Sequence, residues 1–160
     1  MDLVRRLGLA PHPEGGFFGE TYRSSGRIPK SALRPARSGD RNFSTAIYYL
    51  LPAGTRSRLH RIASDEVWHF YLGGPLELVE LGPGAGVRRT VMGSVLAAGQ
   101  VLQHVVPAGR WFGASPLGKG YSLVGCTVAP GFDFADFQLG ERVELLVRFP
   151  GARKWVEKYG

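Results

Sequence analysis

Cysteine and long apolar runs are scarce in this sequence of 160 residues. Cys126 is the single cysteine, which excludes an internal disulfide. It lies in the apolar run YSLVGCTV (121–128), so we expect a buried, unreactive thiol. No run of 18 or more apolar residues occurs, and the N-terminus lacks the pattern of a secretory signal. We therefore expect a cytoplasmic protein that does not cross a membrane.

Acidic residues are also few, 13 against 20 lysines and arginines, which gives a net charge of +7. Such an excess can indicate a nucleic-acid partner. However, the basic residues are scattered, and no motif of a nucleic-acid-binding fold occurs, so we do not expect this partner. The dense basic stretch covers residues 22–41 and holds Arg23, Arg27, Lys30, Arg34, Arg37 and Arg41. We interpret it as a solvated loop. The alternative is a clamp on anionic ligands, and closure of residues 24–40 over a pocket is left open.

Glycine and proline, by contrast, are abundant, with 23 and 11 residues, and they divide the chain into short segments. Strands are predicted at residues 17–23, 43–51, 58–62, 66–72, 76–82, 87–92, 100–106, 111–115 and 121–130. Short amphipathic helices are predicted at 2–9, 141–149 and 152–159. This pattern is typical of an all-β sandwich or barrel. No linker or repeat divides the chain, so we expect one domain over residues 1–160.

The stretch GTRSRLHRIASDEVWHFYLGG (54–74) has the spacing of a known motif. It resembles the first motif of the cupin superfamily, with Gly54, His60, Glu66 and Gly73 in place and Ile62 where a second histidine is usual. PAGRWF (107–112) resembles the second motif, with a phenylalanine at the histidine position. Together with HPEGGFFGETYRS, STAIYYLL and LVGCTVAPGFDFADFQL, these segments are similar to the cupin-5 family of unknown function. The resemblance implies a cupin jelly-roll β-barrel with short terminal helices, and a homodimer.

The resemblance also implies a metal site of three histidines and a carboxylate, and this sequence departs from it. Ile62 and Phe112 hold two of the four positions and have no lone pair to donate. We therefore expect no tightly bound cofactor, and at most a weak divalent metal on His60 and Glu66. Alternation along the strand predicts that His69 points away from the interior. A metal-dependent cupin oxygenase or isomerase stays as the alternative.

Without a metal, we predict that His60 and Glu66 form a hydrogen-bonded catalytic pair inside an aromatic cavity. Burial raises the pKa of a carboxyl group, and such a pair suits proton transfer next to a carbonyl. Arg58 lies two residues before His60, so we expect it on the same face, where it either holds a ligand carboxylate or phosphate or pairs with Glu66. Trp68 and Phe112 are predicted to line the cavity and contact the ligand.

Two further segments carry polar residues that we interpret as structural. His12 and Glu14 in HPEGG are expected in a turn, with Glu14 bonded to backbone amides. Asp133 and Asp136 in GFDFADF are expected in a loop and not as a catalytic dyad. The sequence thus predicts a small-molecule-binding cupin, with metal-independent isomerase or epimerase chemistry on a sugar-like or anionic ligand. A non-enzymatic binding or storage protein is the other alternative.

Overall fold

A computed structural model describes residues 2–34, 37–82 and 86–160. The strands are β1 Ala10–Pro11, β2 Phe17–Arg23, β3 Arg27–Ile28, β4 Arg41–Asn42, β5 Thr45–Pro52, β6 Ser57–Ile62, β7 Asp65–Gly73, β8 Leu76–Leu81, β9 Val87–Met92, β10 Gln103–Val106, β11 Trp111–Pro116, β12 Tyr121–Ala129 and β13 Phe137–Leu139. The α-helices are α1 Asp2–Arg6, α2 Arg142–Arg148 and α3 Arg153–Tyr159. Short 3₁₀ helices cover Lys30–Ala32, Leu96–Ala98, Phe134–Asp136 and Pro150–Ala152.

Two large antiparallel sheets carry the fold. The six-stranded sheet has the order β1-β2-β5-β12-β7-β10, and the five-stranded sheet has the order β13-β6-β11-β8-β9. The strands β3 and β4 form a separate small ribbon. Most neighbours in the sheets are distant in sequence, as β5 and β12 are, which is typical of a jelly roll, so the predicted all-β jelly roll with short terminal helices is confirmed. No helix in the described ranges is long and apolar enough to span a membrane.

The main apolar core lies between the two sheets and takes side chains from both. Tyr49, Trp68 and Cys126 come from the six-stranded sheet, and Leu78 and Phe112 from the five-stranded sheet. All five are at most 2 % exposed. The predicted burial of Cys126 is confirmed, and burial raises the pKa of its thiol well above the ordinary value.

The outer face of the five-stranded sheet is covered by the C-terminal helices. Leu145 of α2 and Val156 and Tyr159 of α3 pack on Leu59 and Val79. Strand β8 is therefore buried along all six of its residues, one face toward the core and one toward α3. Its two glutamates have partners: Glu77 accepts hydrogen bonds from Arg89, Lys158 and Tyr159, and Glu80 lies 2.7 Å from His104 Nε2.

Strand β6 contains a β-bulge that controls which of its residues face the interior. Phe112 pairs with His60 and Ala114 with Ser57, so Arg58 and Leu59 together oppose one residue of β11. The extra residue breaks the two-residue alternation. Ser57 and His60 therefore both turn inward, while Leu59 packs under the helices.

Candidate ligand cavity

A cavity of about 260 Å³ lies between the sheets. Three of its lining residues are exposed to solvent: Phe134 is 52 % exposed, and the ion pair of Glu20 and Arg23 is half-exposed. The mouth of the cavity therefore lies at these residues. Strands β2, β5, β6, β7 and β12 supply most of the walls, and residues 12–14 and 132–137 supply the rest. The lining residues are His12, Glu14, Phe18, Glu20, Arg23, Thr45, Ile47, Tyr49, His60, Ile62, Glu66, Trp68, Cys126, Val128, Phe132, Asp133, Phe134 and Phe137.

His60 is paired with Glu14, a residue that sequence analysis had assigned to a turn. Its Nε2 lies 3.0 Å from Glu14 Oε2, and both side chains are at most 7 % exposed. Its Nδ1 lies 2.7 Å from the carbonyl oxygen of Arg58. Glu14 Oε1 also accepts a hydrogen bond of 2.8 Å from the hydroxyl of Ser57. The expected hydrogen bond between His60 and Glu66 is not found among the described residues.

The contacts of His60 determine where its protons lie. A carbonyl oxygen can only accept, so Nδ1 must carry a proton and donate it to Arg58. Nε2 lies 3.0 Å from Glu14 Oε2, a distance at which a proton on either group makes the contact favourable. A pair protonated in this way is either imidazolium with carboxylate or imidazole with carboxylic acid.

The turn before β2 brings Glu14 into the interior. Gly15 and Gly16 have φ angles of 116° and 69°, which side-chain-bearing residues rarely adopt. A Cβ on Gly15 would collide with the carbonyl oxygen of Arg56, so the turn packs directly on the start of β6. The amide of Arg58 donates to the Glu14 carbonyl at 2.8 Å and fixes this contact. The expectation that Glu14 bonds backbone amides through its side chain is therefore wrong.

His12 is the second histidine in the cavity. The amide of Glu14 donates to its Nδ1 at 3.3 Å, so the proton of the neutral ring lies on Nε2. Burial lowers the pKa of His12, the charge of Glu14 opposes this, and His60 adds to the lowering. His12 thus brings a neutral ring whose N–H donor is at Nε2.

Glu66 lies in the same cavity and is 8 % exposed. Burial raises its pKa to about 8, and the charge of Glu14 adds to this, while the Cys126 thiol and the Trp68 indole oppose it as neighbouring donors. Its carboxyl is therefore mostly protonated at neutral pH. The Trp68 Nε1 beside it is buried and has no hydrogen-bond partner in the described part of the chain.

The remaining predicted site residues divide into those that reach the cavity and those that do not. Trp68 and Ile62 line it. Phe112 is fully buried behind His60, with ring centroids 4.1 Å apart, so it supports the imidazole without lining the cavity. Arg58 is also absent from the lining, because the β6 bulge removes it from the face of His60. The expectation that Arg58 and His60 share a face is wrong.

The other two histidines lie outside this cavity. His69 Nε2 contacts Thr127 Oγ1 at 3.0 Å and its Nδ1 contacts Gln103, which places it on the opposite face of β7, as alternation predicted. His104 faces inward but pairs with Glu80.

The roof of the cavity, residues 131–139, is held by arginines of the basic stretch. Asp136 accepts two hydrogen bonds of 2.7 Å from Arg41, and Arg37 lies 3.3 Å from the same carboxylate. Arg23 donates to the carbonyl of Phe132 and is itself paired with Glu20. Both Arg37 and Arg41 have side chains at most 4 % exposed, so interpreting this stretch as a solvated loop is wrong for these residues. They are bound to carboxylates of the protein.

The cavity residues do not fit the metal site that the resemblance implies. Ile62 and Phe112 offer no lone pair, and His60 directs its Nε2 at Glu14 and not at Glu66. Within residues 2–34, 37–82 and 86–160, no group of three or more His, Cys, Asp or Glu has a metal-binding arrangement. The donor set is that of a histidine and a carboxyl in contact and a separate protonated carboxyl.

Comparison with known proteins shows the family of this chain. The model of the Cupin_5 family, described as "Cupin superfamily (DUF985)", matches residues 1–140. The chain belongs to this family.

Three proteins of similar length resemble the chain in sequence, and two of them also share its fold. A yeast protein, "Uncharacterized protein YML079W" from Saccharomyces cerevisiae, is 32 % identical over 97 % of this chain and 82 % of its own length. Protein SO0799 from Shewanella oneidensis is 37 % identical with a TM-score of 0.88, covering 99 % of this chain and 95 % of that one. A hypothetical protein from Leishmania major is 32 % identical with a TM-score of 0.90, over 99 % and 97 %.

More distant cupins share the fold alone. The oxalate decarboxylase of Lactobacillus farciminis is 11 % identical with a TM-score of 0.56, over 98 % of this chain and 42 % of that one. Family membership and this fold support a cupin-type small-molecule-binding protein.

The sequence did not assign most of the lining residues to the site, His12, Glu14 and Tyr49 among them, nor Ser57, which binds Glu14. Tyr49 donates to the carbonyl of Gly15 at 2.7 Å and so holds the turn that carries Glu14. The sequence does show a carboxylate followed by two glycines, a pattern that allows the backbone of this turn to pack closely on a strand. The pattern does not identify the strand on which the turn packs.

Proposed function

We propose that this cupin binds a small sugar-like ligand in the cavity and moves a proton on it without a metal ion. One observation carries the proposal: a contacting carboxyl and imidazole, Glu14 and His60, and a protonated carboxyl, Glu66, open into one cavity. A base and an acid in one cavity are what isomerisation next to a carbonyl requires.

The groups suit a balanced proton exchange. In the imidazolium form of the pair, the Glu14 carboxylate is a base that can take a proton from the carbon next to a ligand carbonyl. The Glu66 carboxyl gives its proton to the carbonyl oxygen, which yields an enediol. Glu14 then gives its proton to the former carbonyl carbon while the Glu66 carboxylate takes the proton of the other enediol hydroxyl, which becomes the new carbonyl and completes an isomerisation. In an epimerisation the enediol turns within the cavity, Glu14 returns its proton to the opposite face of the first carbon, and Glu66 takes back the proton that it gave.

The cavity favours the sugar-like half of the sequence prediction over the anionic half. Its volume of about 260 Å³ is just below the roughly 300 Å³ typical of small-ligand pockets, which limits the ligand to about a monosaccharide. Its single arginine, Arg23, is bound bidentately by Glu20. An anion would therefore meet carboxylates without a cation to receive it.

Binding and proton transfer are tested together by thermal shift and by NMR in D2O with a panel of aldoses and ketoses. We expect one or more sugars to raise the melting temperature and to exchange the hydrogen next to the carbonyl for deuterium. His60→Gln and Glu66→Gln should stop the exchange, while the control His69→Gln, on the outer face, should not. Binding without exchange would indicate a non-enzymatic binding protein, and neither effect with any sugar would refute the proposal.

We also propose a homodimer and a cytoplasmic location. Strand β10 is an edge strand that pairs with β7, and Val105 on it and Leu102 just before it are each 47 % exposed. An exposed apolar edge strand is commonly covered by another chain. The cytoplasmic location is compatible with the free, buried Cys126 and stays a prediction. Packing of α2 and α3 on the sheet supports a single domain over residues 1–160.

A further inference from the structure

We infer that the cavity selects a small organic cation, a ligand that carries an ammonium group, over uncharged and anionic ligands of the same shape. The inference rests on the proposed function only in placing the ligand in this cavity. It narrows the ligand class from sugar-like to amine-bearing, as in an amino sugar or amino alcohol.

Aromatic rings form much of the cavity wall. They are Phe18, Tyr49, Trp68, Phe132, Phe134 and Phe137. Neighbouring rings stand nearly perpendicular: Tyr49 and Trp68 at 85°, Phe132 and Phe134 at 80°, and Phe134 and Phe137 at 74°. Rings at right angles can direct several faces at one enclosed group. Ring faces are electron-rich and attract ammonium groups, most strongly when the cation is shielded from water.

The charged side chains of the cavity give the same preference. Four carboxyls line it, of which Glu20 is paired with Arg23 and Glu14 contacts His60. Asp133 Oδ1 accepts a hydrogen bond of 2.8 Å from the amide of Ala135, and its charge acts on Arg23 and Arg41. Glu66 is mostly protonated in the free protein, and a bound cation would favour its ionised form. Attraction between the ionised carboxyl and the cation is strengthened in a site that excludes water.

A buried donor beside Glu66 is compatible with this preference. The indole Nε1 of Trp68 is buried without a partner, although Trp68 is 1 % exposed and lines the cavity. An unsatisfied buried donor costs free energy, and native proteins rarely keep one without a reason. An ionised Glu66 next to a bound ammonium group would be a stronger acceptor for this N–H. The cation would thus complete an arrangement that the side chains leave unsatisfied.

The test uses three probes of nearly equal shape: choline, its uncharged isostere 3,3-dimethylbutan-1-ol, and the anion 3,3-dimethylbutanoate. Dissociation constants are measured on the full chain by isothermal titration or ligand-observed NMR at constant ionic strength. We expect choline to bind about tenfold or more tightly than the alcohol, and the anion to bind more weakly than both. Glu66→Gln should remove most of the advantage of choline, whereas Glu144→Gln, on the exposed side of α2, should preserve it.

The outcomes separate this inference from the proposed function. Equal binding of choline and the alcohol, tighter binding of the anion, or no binding of any probe would each overturn the preference for cations. Exchange of sugar hydrogens in D2O would still hold in those cases, because it depends on the proton-transfer groups and not on a charge on the ligand. A choline advantage that survives in Glu66→Gln would also contradict the role assigned to Glu66.

Discussion

At the scale of single residues, burial determines the protonation state of Glu66. Its carboxyl is surrounded by Trp68, Cys126 and the charge of Glu14, and its pKa rises to about 8. In the unfolded chain the same group would have the ordinary pKa near 4.5. The folded protein therefore holds a proton on Glu66 over a range of pH in which the unfolded chain has lost it.

This difference makes stability depend on pH in a predictable direction. Below the unfolded pKa both states are protonated, so Glu66 has no effect. Between about pH 4.5 and 8 only the folded state keeps the proton, and the free energy of unfolding falls as pH rises, by at most about 1.4 kcal/mol per pH unit from this group. Glu66→Gln cannot ionise, so it should gain stability relative to the wild type across this range.

Urea unfolding of wild type and Glu66→Gln at several pH values between 5 and 8 measures the effect. Subtracting the free energy of unfolding of one protein from that of the other removes the contribution of His12, because its lowered pKa affects both proteins. Glu144→Gln is the matched control on the surface and should run parallel to the wild type. A constant difference between Glu66→Gln and wild type over this range would show that Glu66 ionises normally in the folded protein.

At the scale of elements, the roof segment 131–139 is attached to the basic stretch through one carboxylate. Asp136 binds Arg41 bidentately and also contacts Arg37, and all three side chains are at most 9 % exposed. The aromatic rings at the mouth are carried by this segment. The ion pairs attach the roof to β4, and they therefore help to hold the rings that shape the mouth of the cavity.

We predict that Asp136→Asn destabilises the protein by about 3 kcal/mol, because two buried guanidinium groups lose their carboxylate. Amide hydrogen exchange of residues 131–139 should become faster in this variant, and ligand affinity should fall. Glu157→Gln, which removes an exposed pair with Arg153, is the control and should cost less than about 1 kcal/mol. Similar losses in the two variants would mean that the Asp136 pairs do not hold the roof.

At the scale of the whole molecule, the two sheets differ in what covers their outer faces. Helices α2 and α3 cover the five-stranded sheet. The six-stranded sheet is covered by α1 near Leu50 and Leu123, while its β10 edge carries exposed Val105 and Leu102. The uncovered edge is where we place the second copy of the chain.

A lysine in the edge strand should prevent this association. We expect Val105→Lys to be monomeric in multi-angle light scattering and the wild type to be dimeric, because burying an unpaired ammonium group opposes pairing. Val147→Lys makes the same change on α2, where Val147 is 78 % exposed, and should remain dimeric. A monomeric wild type, or a dimer that tolerates Val105→Lys, would contradict the proposed interface.

The predictability of the site differed between residues for physical reasons. Spacing in the motif located His60, Glu66 and Trp68 in the cavity, because strand alternation and turn glycines are local. Arg58 was misplaced, since a bulge depends on the register against β11 and has no reliable local signal. Glu14 was missed because its partners, Ser57 and His60, are far away in sequence and are reached by folding the N-terminal turn onto β6.

The sequence by itself determined the all-β jelly roll, the short terminal helices and the loss of two ligand positions at Ile62 and Phe112. The all-β class and the helices follow from residue periodicity and from glycine and proline in turns, whereas the jelly roll and the two ligand positions follow from the resemblance of the motifs to cupins. Only the tertiary structure decided that His60 contacts Glu14, that Glu66 is kept protonated, and that the basic stretch holds the roof. Hydrogen-bond partners and desolvation depend on distances between remote segments, and no local pattern encodes those distances.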